Sequence, residues 1–258
     1  MANTQAVQKS MTIEDFSNTF DLLFNNLMSD RAPEVNDYEK SMLLTMAQEN
    51  IVNELYYTSF EKDERSRRAL APLLEEVEIA KLEKGMPSDY YLPKGYSLVE
   101  TEYKLPNDLL YIVIEAVYIL DKEACSYLSK IPVKPEPLDD LLYDIGNPFR
   151  SPSTARALRE DKSGTTKDRD VKVKIYSKYE LGPYCIKYIR RPKPILLADF
   201  SDESAYDQIH IRGVDTFKND IHNGYGAELS DEPCELPLNI QQEIVNKAVL
   251  LAKAVFTS

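Results

Sequence analysis

Two histidines, His210 and His222, stand twelve residues apart in a stretch that also carries Asp199, Asp202, Glu203 and Asp207. Imidazoles and carboxylates are the ligand types of a divalent-metal site, but this spacing matches no metal motif, and histidines in a polar segment read as surface groups. A hydrolase built on this chain would draw on Asp199, Asp202 or His210. The motifs that mark nucleotide binding and nucleophile elbows do not occur in the pattern, although the members of a Ser/His/Asp triad can be remote in sequence. None of the eight glycines falls in a GxGxxG or GxxxxGK[ST] array, and Gly224-Tyr225-Gly226, with no strand before it, reads as a turn. No serine sits in a GxSxG elbow. The Asp139-Asp140 pair lies at a helix start, where the positive end of the dipole accounts for it. Cys125, Cys185 and Cys234 are far apart and form neither a CxxC pair nor a Cys/His cluster, which implies reduced, partly buried thiols. The expectation is a non-enzymatic chain with no metal and no cofactor.

The strongest charge asymmetry is a basic cluster: Lys172, Lys174, Lys178, Lys187, Arg190, Arg191 and Lys193. Alternation puts Lys172, Lys174 and Lys178 on one strand face, away from Val171, Val173 and Ile175, and the first reading is a solvated face. A contact with an acidic neighbour comes second, and direct DNA contact third. The whole chain is acidic, with 43 Asp and Glu against 31 Lys and Arg and a net charge of -12. That balance opposes wholesale binding to a phosphate backbone. Apolar residues at 43% and charged residues at 29% describe an ordinary globular protein. Met1 to Ser10 lacks the apolar run of a signal peptide, and the longest apolar run, Leu109 to Leu120, is interrupted by Glu115. A soluble protein made in a cytoplasm, without membrane contact, is expected.

The positioning elements follow from periodicity. Thr12, with Asp15 three residues on, N-caps a helix whose apolar stripe is Ile13, Phe16, Phe20, Leu23 and Leu27. Asn36 or Asp37 caps a second helix carrying Met42, Leu43, Met46, Ile51 and Leu55, with Glu39, Lys40, Gln48, Glu49, Asn50 and Glu54 on its polar face. A third helical segment spans Lys62 to Ala80 and must end or kink at Pro72. Leu109 to Leu120 is dense in β-formers. Val171 to Tyr176 alternates, and a turn at Glu180-Leu181-Gly182-Pro183 makes residues 171 to 190 an antiparallel hairpin. A short helix, Leu138 to Tyr143, ends at Gly146-Asn147-Pro148. Leu236-Pro237 opens a last helix with the apolar line Ile240, Ile244, Ala248, Leu251 and Val255, and Gln241, Gln242 and Lys247 opposite. The fold class is therefore α+β: a helical bundle formed by the N- and C-terminal helices (10–85 plus 236–258), an antiparallel β-rich insertion (95–200) and an irregular connection (201–235). Seventeen tyrosines suit a subunit that meets several partners.

Several runs occur together: Phe16 to Ser29, Ala32 to Ser41, Leu43 to Val52, Leu105-Pro-Asn-Asp108, Asn147-Pro-Phe-Arg-Ser-Pro152, Tyr188 to Leu197 and Leu236-Pro237. Their order resembles the ring-forming head–tail connector (adaptor) proteins of crAss-like tailed bacteriophages. The resemblance implies a virion structural protein at the portal–tail junction. It implies a homo-oligomeric ring, twelve copies to match a portal. Its partners would be the portal protein and other connector or tail proteins, with DNA passing through the lumen without specific binding. On that basis Ile240, Ile244, Leu251 and Val255 of the last helix, with Tyr176, Tyr184, Tyr188 and Arg190 of the hairpin, are expected at subunit or portal contacts. A virion-associated hydrolase and a monomeric protein-binding module are the alternatives.

Overall fold

A computed structural model of the chain describes residues 10–28, 33–60, 63–82, 86–87, 98–121, 126–136, 143–144, 147, 149–162, 171–211, 214, 217–218, 221 and 229–256. Cys125, the Asp139-Asp140 pair, His222, Gly224-Tyr225-Gly226 and all of the Leu138 to Tyr143 helix but its last residue lie outside the described residues. The chain is α+β and divides into two units, one from residues 1–73 and 191–258, the other from residues 74–190.

In the first unit, helix α1 (Ile13–Met28) starts where Thr12 and Asp15 cap each other: the Asp15 N–H donates to Thr12 Oγ1 and the Thr12 N–H to Asp15 Oδ2. Its buried stripe is Phe16, Phe20 and Phe24, a run of strict fours, so the face turns away from the expected Leu27, which is exposed. Helix α2 (Asp37–Ser59) is capped by a reciprocal Asn36/Glu39 box. Helix α3 (Glu64–Leu70) is capped by Asp63, which accepts from the N–H groups of Arg65 and Ser66. The expected helix to Ala80 stops at Leu70. Pro72 has no N–H to continue it, so the chain passes through a 3-10 turn, Ala71–Leu73, and leaves as a strand. The last helix, α4 (Leu238–Phe256), packs on both α1 and α2. Phe256 meets Phe24 edge-on, with ring centroids 6.1 Å apart.

The polar face assigned to α2 is largely covered. Glu39, Lys40 and Gln48 are buried. Lys40 lies between Asp21 at 2.7 Å and Asp37 at 3.2 Å. Glu39 and neighbouring polar residues of α2 and its cap hold the segment that follows residue 191. Thr45 Oγ1 accepts from the Ile195 N–H at 3.1 Å, Ser41 Oγ from the Leu197 N–H at 2.8 Å, and Glu39 Oε1 from the His210 N–H at 3.2 Å. Asn36 Nδ2 donates to the Gln208 carbonyl at 2.8 Å. These side chains satisfy backbone groups that have no ladder partner of their own. Phe200 fixes the same segment apolarly, its ring 5.3 to 5.5 Å from those of Tyr38, Tyr206 and Phe217. The described residues from 201 to 211 are thus largely irregular in backbone yet held against the helices, and include the 3-10 helix Glu203–Gln208.

The second unit is an eight-stranded sheet of β1 (Leu74–Ile79), β2 (Met86–Pro87), β3 (Val99–Lys104), β4 (Leu109–Asp121), β5 (Ser126–Pro135), β6 (Ala157–Lys162), β7 (Lys172–Ser177) and β8 (Leu181–Arg190). The order is β1-β8-β4-β5-β6-β7-β3-β2. The β5–β6 pair is parallel, Val133 opposite Ala157, so the sheet is mixed rather than purely antiparallel; the connection from 136 to 156 is long enough for a crossover. The expected hairpin does not form: β7 pairs with β3 and β6, and β8 with β1 and β4. The expected turn residues Leu181, Gly182 and Pro183 are already in β8, at the point where its register against β4 shifts, which tolerates a proline without an N–H. Because β7 and β8 each bury an inner face, they separate across a curled sheet. Tyr103 on β3 donates to the Gly182 carbonyl on β8 at 2.7 Å, although the two strands are far apart in the order. Val117, Ile119, Ile131, Val173, Ile175 and Ile186 fill the space between.

Candidate functional site and assembly surfaces

The carboxylates around His210 cap turns. Asp199 Oδ1 accepts from the Ser201 N–H and hydroxyl at 2.9 and 2.5 Å, and these bonds hold its carboxyl below the usual range. Asp202 accepts from the Ser204 N–H at the start of the 3-10 helix, and Glu203 pairs with Lys218 at 3.3 Å. Among the described residues, no group of three or more His, Cys, Asp or Glu converges to hold a metal. Also among the described residues, no helix is long and apolar enough to cross a membrane.

Several residues of the basic cluster are met by acids of the same chain, whereas Lys172 lies opposite Lys104 on β3 and Lys162 on β6. Lys174 on β7 lies opposite Glu102 on β3 and Glu160 on β6 and forms an ion pair with Glu100. Arg190 Nε lies 2.9 Å from Glu75 on β1, and Lys193 lies 3.6 Å from Glu235. Lys187 on β8 faces Glu76 on β1. Cross-strand pairs of this kind stabilise the sheet modestly and leave less net positive field outside it.

The residues expected at subunit contacts fall into two groups. Ile240 and Ile244 are buried in the first unit; α4 continues its buried face through Val245, Ala248, Val249 and Ala252 instead of stepping to Leu251. Leu251 is half-buried and Val255 is 42% exposed. In the sheet unit Tyr184 and Tyr188 share the interior, while Tyr176 is buried opposite Leu158. Their hydroxyls bind acids: Tyr176 to Glu160 at 2.5 Å, Tyr184 to Glu115 at 2.5 Å, and Tyr188 to Glu75 and Asp108 at 3.2 and 3.3 Å. Arg190 is half-buried against Glu75.

Tyr184 belongs to a polar knot within the sheet. Glu115 on β4 accepts from Tyr184 and from Arg159 Nη1 on β6, the latter at 2.7 Å, and Arg159 Nε lies 2.9 Å from Asp161. Burial pushes the Glu115 carboxyl up, against the pull of Arg159 and the Tyr184 hydrogen bond; burial also pushes the Tyr184 phenol up, aided by the Glu115 charge. This ion pair ties β4, β6 and β8 together, although the buried Arg159 Nε makes no hydrogen bond of its own.

Two surface features escaped the sequence reading. A cleft of about 620 Å³ is lined by Leu43 and Met46 of α2, His210, Ile211, and Leu251, Ala254 and Val255 of α4. In the sheet unit, Phe149 is 90% exposed on a turn that is tightly bonded. Arg156 Nη2 donates to its carbonyl at 2.6 Å, its N–H donates to Asn147 Oδ1 at 2.9 Å, and the Ser151 N–H donates to the Asn147 carbonyl at 2.7 Å. Arg150 pairs with the buried Asp144 at 3.4 Å. The Asn147-Pro-Phe-Arg run held the signal for a turn; exposure of the ring had no signal in spacing.

The model of the phage tail ring protein 3/4 family matches residues 11–257. A ring protein 4/5 of Bacteroides phage crAss001 is 31% identical over 253 residues, covering 95% of this chain and 94% of the relative. A ring protein 3 of the same phage is 31% identical over 250 residues, covering 94% of this chain and 95% of the relative. A match running from the first helix through the sheet to the last helix at this identity is a match of the whole architecture, and the chain belongs to the phage tail ring protein 3/4 family.

Proposed function

We propose that the chain is a structural subunit of the virion, closing with its copies into a ring of twelve at the portal–tail junction, where it adapts the capsid portal to the tail. The kinship with ring proteins along nearly the whole chain carries this reading. Three features support it. The ionisable side chains of the candidate sites form caps and pairs within the subunit, as in a protein selected for shape. An acidic surplus repels phosphates, so a lumen of this composition passes DNA without holding it. The helices of both chain ends pack together, which we read as a bundle facing the portal or the neighbouring ring. Of the expected contact set, Leu251, Val255 and Arg190 retain accessible surface and make the contacts; Ile240, Ile244, Tyr176, Tyr184 and Tyr188 hold the walls that carry them.

Light scattering or native mass spectrometry on the purified chain, alone and mixed with the portal protein of the same phage, tests the proposal. A ring-sized mass or a stoichiometric portal complex is expected. A chain that stays monomeric at every concentration and ignores portal would overturn it.

A further inference from the structure

A ring of identical subunits needs two different complementary patches on each copy, because its interfaces are heterologous. Resting on the ring reading above, we infer that Phe149 of one copy seats in the α2–α4 cleft of the next copy. Three observations carry this. Phe149 is 90% exposed, and a buried Phe would remove on the order of 150–250 Å² of surface from water. The hydrogen bonds from Arg156 to the Phe149 carbonyl and from the Phe149 N–H to Asn147 hold the ring's backbone in one geometry before contact, so little entropy is lost on docking. The cleft, about 620 Å³ and lined by Leu43, Met46, His210, Ile211, Leu251, Ala254 and Val255, is wide enough for an aromatic ring, and its apolar side chains share the lining with about as much polar surface.

Charge favours a second copy as the occupant. The first unit carries 23 acidic against 13 basic residues, and the sheet unit 20 against 18. Two first units repel each other, whereas a sheet unit meets a first unit at little cost. Arg150, beside Phe149 and 65% exposed at its side chain, is paired with Asp144 at 3.4 Å and so adds a polar rim rather than an unpaired charge. A rigid aromatic anchor with an adjacent arginine is also the composition of an interface hot spot.

The test uses the full chain with Cys125 replaced by serine. One preparation carries Arg150→Cys, which keeps Phe149, and another Val255→Cys; they are mixed under mild oxidation beside a control mixture of Arg150→Cys with Glu14→Cys. A covalent heterodimer from the first mixture alone is expected, and a chain carrying both Arg150→Cys and Val255→Cys gives a ladder of higher multimers. Phe149→Asp is expected to keep the wild-type circular dichroism and melting temperature, to weaken association about tenfold or more, and to be rescued by Phe149→Trp. Ring-sized particles of Phe149→Asp, or rings without crosslinking above the control, overturn the seating and leave the ring reading standing. A wild-type chain that neither crosslinks nor associates overturns both.

Discussion

Gln241 on α4 accepts a hydrogen bond from the Met11 N–H at 2.8 Å, joining residues 230 positions apart at the two ends of the chain. Its Nε2 donates to the carbonyls of Leu236 and Cys234 at 2.7 and 3.2 Å and to Ser10 Oγ at 2.9 Å. Gln241→Leu keeps the volume and strands these groups, at about 1–3 kcal/mol for each one left dry. The melting temperature should fall by several degrees. Gln241→Glu should cost more, because it aims a carboxylate at two carbonyls. Thermal denaturation of the three chains checks this, and wild-type stability in Gln241→Leu would refute it.

The Glu115–Arg159 pair makes a second prediction. Arg159→Met leaves a buried carboxylate with only Tyr184 beside it, at a cost of about 3–5 kcal/mol near neutral pH. Burial already raises the Glu115 carboxyl, and losing the arginine raises it further. With the folded pKa above the unfolded one, the native state holds the proton more tightly. The penalty is therefore small at acid pH and grows as pH rises from the ordinary glutamate range through the raised folded value. Adding Glu115→Leu to Arg159→Met should recover most of the loss. Denaturant unfolding across pH measures the difference; a deficit that shrinks with rising pH would contradict the argument.

Those two sites also mark what the sequence made legible. Caps are local signals: the Thr12/Asp15 pair forms as read, and of the two candidates for the second helix Asn36 is the cap, in a box with Glu39 that was not read. The break at Pro72 and the strand Leu109–Asp121 were equally local signals. Gln241 was assigned to a polar, outward face and is 1% exposed, because its partners lie 230 residues away or beyond the helix start. Glu39 and Gln48 were misplaced for the same reason, their partners His210 and Cys234 lying more than 150 residues on, whereas Lys40 is held by Asp21 of α1. The hairpin failed because alternation reports a half-buried strand but not its neighbour. Tyr176, Tyr184 and Tyr188, expected at contacts from the resemblance, are buried with an acid in reach of each hydroxyl, which strand alternation does not report.

The thiols give a third prediction. Cys234 is buried, and burial pushes its thiol up to about 12; Cys185 is buried and raised for the same reason, opposed by Lys130. At pH 8 both are protonated and shielded. Iodoacetamide should modify them more slowly in the native chain than in guanidinium by a factor on the order of the folding equilibrium, ~10³ or more. Site-resolved mass spectrometry reads this. Rapid native labelling at Cys234 would mean that the junction of Leu236 with α4 opens freely.

Removal of residues 237–258 should unfold the first unit, not merely release the ring. The deletion takes Ile240, Ile244, Val245, Ala248, Val249 and Ala252 out of the core shared with α1 and α2, and each large side chain lost there costs about 2–5 kcal/mol. The total exceeds the stability of a typical domain. Loss of assembly in that truncation therefore says nothing about contacts. The informative change is Val255→Glu, at a position 42% exposed on the rim of the cleft. Surface substitutions of this kind shift stability by about 0.5 kcal/mol or less. Val255→Glu should melt with the wild type and fail to reach ring mass by light scattering, whereas the truncation should lose its cooperative melt and helical dichroism. A truncated chain with an intact melt would show that α4 is an appendage, and a Val255→Glu chain of full ring mass would remove the cleft from the subunit interface.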